Sequence, residues 1–236
     1  MTLIPLHLEF LDDDSPWDIG VHLFNVFNNL VQPSASQISP REAAEKINML
    51  HPDNEKEDGS GLGPATIEEW SHYDVRAITV RKDQNEKLFK FRNLSSFLAR
   101  LAKAGFEDSN MLYALTALQN ALEYEFEASD ASHVLSSDYL VPIAAGWIIK
   151  AGELMPLNGG NMGGYASLGG PLWKGEPKLL LERWHFWMRR FEVFGDCEAL
   201  MEETRNMAKE AVEKMKCIEE QKSKIKDNQT VSVMDN

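Results

Sequence analysis

Cysteine is nearly absent from this 236-residue chain, which holds only Cys197 and Cys217 and no CxxC pair. Two single thiols on a helical pattern build neither a disulfide framework nor a structural zinc site. Basic charge is scarce as well: 24 Lys and Arg stand against 37 Asp and Glu, a formal balance of −13. An excess of that sign repels phosphate backbones and anionic lipid, so neither nucleic acid nor a membrane surface is an expected partner. Long hydrophobic runs are missing too. The longest, "YLVPIAAGWII" at 139–149, falls well short of the ~20 apolar residues of a bilayer-spanning helix. The opening "MTLIPLHLEFLDDD" lacks the basic start of a secretory signal. These absences together predict a cytoplasmic protein with reduced thiols.

Local catalytic signatures are equally scarce. The six histidines show no HExxH or other ligand spacing. No GxSxG elbow and no Cys-His-Asn arrangement is present, and the glycine loop lacks the GxxxxGK[ST] of a phosphate cradle. Asp13, Asp14 and Asp18 form a DDxxxD pattern of the kind that holds magnesium against a diphosphate. Ser15-Pro16, however, places these acids just before a helix, where they complement its dipole. The expectation is no metal and no cofactor.

What the chain does contain is apolar residues at helical spacing. With 43% hydrophobic residues and six Trp it has enough to bury a substantial core. "SPWDIGVHLFNVFNNL" and "SPREAAEKINML" both open with Ser-Pro and an acid three residues after the serine, the pattern of a capping box. Residues 51–64 are polar and turn-rich and read as an exposed loop. Further helices carry Leu94, Phe97, Leu98 and Leu101 on one face, then Met111, Leu115, Leu118 and Leu122. "DYLVPIAAGWIIKAG" is apolar nearly all round, which marks a central buried helix ending near Gly152. A glycine-rich loop follows at 153–176. A helix from Pro177 then aligns Leu180, Trp184, Trp187, Met188 and Phe191. The last, from Asp196, aligns Leu200, Thr204, Met207, Ala211, Met215 and Ile218. The pattern predicts an all-α fold: one compact domain over 1–222 with seven or eight helices, the glycine-rich loop before the penultimate helix, and a polar, disordered tail at 223–236.

One stretch concentrates unusual chemistry. "GGPLWKGEPKLLLERWHFWMRRFE" at 169–192 carries three tryptophans and, in an acidic chain, five basic residues between Lys174 and Arg190. Arg183 lies one turn before Trp187, so guanidinium and indole can stack. Such a corner suits an anionic or conjugated small molecule beside a flexible loop. The plainer alternative places the tryptophans in the core and pairs the arginines with carboxylates elsewhere.

Several segments resemble a large fungal family of uncharacterised all-helical proteins: "NLSSFLARL", "YALTALQNALE", "LVPIAAGWIIKAGELM" and above all the 169–192 stretch. Its members show G-P-L-W-K-G followed by L-E-R-W-x-F-W-x-x-R-F. Pro171, Trp173, Lys174, Gly175, Arg183, Trp184, Trp187 and Arg190 match that pattern, and the likeness runs over about 61–220. The resemblance implies a fungal source and a helical fold, and for some members a link to secondary metabolism.

Two functions of different classes fit. The first is a cofactor-independent enzyme of secondary metabolism, a cyclase, isomerase or cycloaddition catalyst acting on a small, largely apolar metabolite. Lys174, Arg183 and Tyr165 would then be the catalytic donors, with Trp173, Trp187, Trp147, Met162 and Arg190 lining the substrate site. The second is a non-catalytic helical interaction protein that docks a partner or forms a homodimer, with the tryptophan corner as core.

Overall fold

Ser39 shows how tightly local chemistry starts a helix in this protein. Its hydroxyl accepts the Glu42 amide at 3.2 Å while the Glu42 carboxylate takes the Ser39 amide at 2.7 Å. That is the reciprocal capping box expected from the Ser-Pro-x-Glu opening. These hydrogen bonds hold the Glu42 carboxyl below its usual value, with Lys46 adding a smaller push. The structure, a computed structural model, describes residues 39, 42–43, 46, 84–103, 110–155, 169–176 and 178–234. The first helix expected from "SPWDIGVHLF", the loop at 51–64 and the Asp13-Asp14-Asp18 cluster lie outside them.

The protein is all-α. Among the described residues five long helices follow one another, with no strand: α1 (Gln84–Lys103), α2 (Asn110–Leu122), α3 (Ala131–Ala151), α4 (Leu181–Asp196) and α5 (Glu202–Met234). A 3-10 turn, Gly152–Leu154, extends the end of α3. Length and composition predict one domain. The chain's contacts group into two compact units, Met1–Thr116 and Ala117–Asn236, with the boundary inside α2. The supply of apolar residues bounds how much core is made, and it leaves open how that core is partitioned.

In the first unit α1 buries Leu94, Phe97, Leu98 and Leu101, the stripe its spacing predicts, and Phe91 one turn earlier as well. Arg100 and Lys103 lie in its last turn, where positive charge complements the dipole. In α2 the residues Met111, Leu115, Leu118 and Leu122 are all buried.

The second unit centres on α3. Asp130 caps its start: the carboxylate accepts the Ser132 amide at 2.8 Å, the Ser132 hydroxyl at 2.6 Å and the His133 amide at 3.4 Å. The helix therefore begins eight residues before Tyr139, within a polar stretch that carries little apolar periodicity. Its later turns are buried almost all round, from Leu140 to Ile148. By length and composition Ala131–Leu154 is apolar enough to cross a membrane, yet 61% of its apolar 18-residue stretch is buried inside the fold. Its apolar surface is thus largely covered by the protein's own helices, and both α3 and α4 pack against α5.

Pro142 interrupts α3, and the interruption is used. A proline has no amide to donate to the carbonyl four residues back, here Asp138. That carbonyl accepts instead from the buried Thr204 hydroxyl at 3.5 Å, while the Asp138 carboxylate takes the Met201 amide at 2.9 Å. Both bonds dock the start of α5 onto α3, with the Asp138 side chain serving as its cap.

Two boundaries differ from expectation. Helix α4 starts at Leu181, not Pro177, and runs through Asp196, so α5 begins only at Glu202 after a short turn. Helix α5 also continues to Met234, past Lys222, where composition predicts a tail. No Gly or Pro follows Lys222 to stop a helix already propagating.

Candidate functional site

The tryptophan corner is built around a residue outside the motif, Glu123, which directly follows the last residue of α2. Its side chain is 0% exposed, as is that of Arg183 on α4. The Arg183 Nε donates to Glu123 Oε1 at 2.7 Å and its Nη2 to Oε2 at 3.1 Å, a two-pronged pair. Trp187, one turn further along α4, donates its indole N–H to the same Oε1 at 2.7 Å. The Gly170 amide donates to Oε2 at 2.5 Å, and the Leu172 amide to the Glu123 backbone carbonyl at 3.0 Å. Both carboxylate oxygens thus receive two donors each. A buried carboxylate requires this, because an unpaired one carries a prohibitive desolvation penalty.

The loop of the motif is shaped to reach this carboxylate. Gly169 has a φ of 84°, a conformation that side chains disfavour. At Gly170 a Cβ would lie 2.7 Å from Glu123 Cβ and 2.8 Å from its carbonyl oxygen, so only glycine lets the two backbones approach. Pro171 follows in a turn closed by the Trp173 amide donating to Gly170 O at 3.0 Å. Trp173 then folds back between Gly169 and Gly175, its indole N–H donating to Glu176 O at 2.9 Å. The Arg183 guanidinium carbon sits 5.9 Å from the Trp173 ring and 5.1 Å from the Trp187 ring. It lies near two indoles, which a desolvated cation favours, and Phe186 packs against Trp173 at 5.6 Å.

Arg190, two turns beyond Arg183, serves a neighbouring purpose. It donates to Leu122 O and Tyr124 O, both at 3.0 Å, and lies 5.1 Å over Phe194. Leu122 is the last residue of α2, where helix carbonyls have no internal partner, and Tyr124 lies just beyond it. Burial holds the Arg190 pKa below the ordinary arginine value, with Glu125 pulling the other way.

Of the candidates named from sequence, the structure brings Arg183, Trp187 and Trp173 together, with Arg190 on the same helix. Arg183 and Trp187 are fully buried, Trp173 is half-buried and Lys174 is exposed on the loop. Trp147 is fully buried on α3. Tyr165 and Met162 lie outside the described residues. Glu123 was not anticipated. Its signal was present: an acid ending the apolar run of α2 beside its inward stripe, in a chain whose motif places an arginine among tryptophans. Among the described residues no cluster of three or more His, Cys, Asp or Glu is arranged to hold a metal.

The motif and its carboxylate both fall within a known family. A model of the family described as "Protein of unknown function (DUF3632)" matches residues 41–191, well over half of the chain. The chain belongs to the DUF3632 family. No curated protein and no solved structure matches it. The DUF3632 match begins before Gly61, where the likeness was expected to start, and ends at Phe191 on α4. It includes Glu123, the Gly169–Glu176 loop and Arg183, and leaves α5 outside.

Proposed function

We propose that this DUF3632 chain is a non-catalytic, all-helical interaction protein whose tryptophan–arginine corner fastens the fold. One observation carries the reading: the Arg183 guanidinium is 0% exposed and bonded to a carboxylate whose two oxygens are both fully engaged. A donor for a substrate oxygen must present an N–H to that oxygen, and Arg183 is committed to Glu123. Lys174 stands exposed on the loop, where water screens its charge. The partner in this reading is a protein, either another copy of the chain or a different one, in the cytoplasm.

A second reading keeps the chain as a cofactor-independent enzyme of fungal secondary metabolism acting on a small apolar metabolite. It is favoured by one feature: the fully buried indole N–H groups of Trp147 and Trp184 have no acceptor among the described residues. A buried donor without an acceptor costs about 1–3 kcal/mol, and a bound carbonyl would relieve it.

Native mass spectrometry separates the two. The purified chain, incubated with a metabolite extract of its producing cells, is expected to carry no small molecule and to appear alone or bound to protein. A retained metabolite of defined mass, lost in Trp147→Phe or Trp184→Phe, would overturn the interaction reading in favour of the enzyme.

A further inference from the structure

We draw no further inference here: the strongest candidate, the tip of the α4–α5 hairpin where Val193 and Met201 stand half exposed among the carboxylates of Glu192, Glu198 and Glu202, carries nothing because nothing in the structure shows what covers it.

Discussion

Replacing Glu123 by Leu tests the corner most directly. The substitution removes the acceptor of four hydrogen bonds and leaves the Arg183 cation buried without a counter-charge. Breaking a buried pair from one side costs about 3–5 kcal/mol. At roughly 2–4 °C per kcal/mol for a chain of this size, the melting temperature should fall by about 6–20 °C. Arg183→Met should cost a similar amount, since it strands the Glu123 carboxylate instead. The informative variant is the double, Glu123→Leu with Arg183→Met. It buries no uncompensated charge and leaves two orphaned donors, the Trp187 indole and the Gly170 amide, at about 1–3 kcal/mol each. Simple addition of the singles gives about 6–10 kcal/mol, whereas the structure calls for about 2–6 kcal/mol in the double. Urea unfolding of the four proteins of the cycle measures the difference. If the double equals the sum of the singles to within about 0.5 kcal/mol, the two residues are not coupled and the reasoning fails.

Further perturbations follow from the same structure. Hydrogen bonds from Ser132 and His133 hold the Asp130 carboxyl below its usual value of 3.8. A depressed carboxylate stabilises the fold above the unfolded pKa and loses that contribution as pH falls through the folded one. Asp130→Asn should therefore flatten the acid limb of the melting-temperature profile below about pH 4, and an unchanged limb would contradict the cap. Thr204→Val should cost about 0.5–1.5 kcal/mol by orphaning the Asp138 carbonyl. The same change should cost measurably less on a Pro142→Ala background, where a helical amide is restored to that carbonyl; equal costs on both backgrounds would refute the compensation. Gly170→Ala should destabilise by about 1–3 kcal/mol because its Cβ meets backbone and side chain of Glu123 at under 3.0 Å. By contrast Gly146→Ala, inside α3, meets only the flexible Lys150 Nζ at 3.2 Å and should gain up to about 1 kcal/mol. Thermal melts of the pair in opposite directions would bear this out.

How much was legible depended on which force decided each feature. Apolar spacing alone placed Leu94, Phe97 and Leu98 in α1 and Trp184, Trp187 and Phe191 in α4, and all of them are buried. Those positions are set by the hydrophobic effect, which leaves its period in the sequence. Helix ends were less readable. The start of α3 at Ala131 rests on Asp130 and two hydrogen-bonding neighbours, a signal shared with many polar turns. The break between α4 and α5 falls beyond Asp196 even though Gly195 is itself helical. The carboxylate at the heart of the corner was hidden for a different reason. Glu123 and Arg183 are sixty residues apart, and a single sequence records that an arginine sits among tryptophans without recording which acid meets it.

Met155, just after the 3-10 turn, and Gly170, in the motif loop, are each held by a distant part of the chain. Lys222 of α5 donates to Met155 O at 2.6 Å on one side, and on the other the Gly170 amide is tied to Glu123. Both ties join residues far apart in sequence, 67 positions in one case and 47 in the other, and such non-local bonds contribute only after the entropy of closing the intervening chain has been spent.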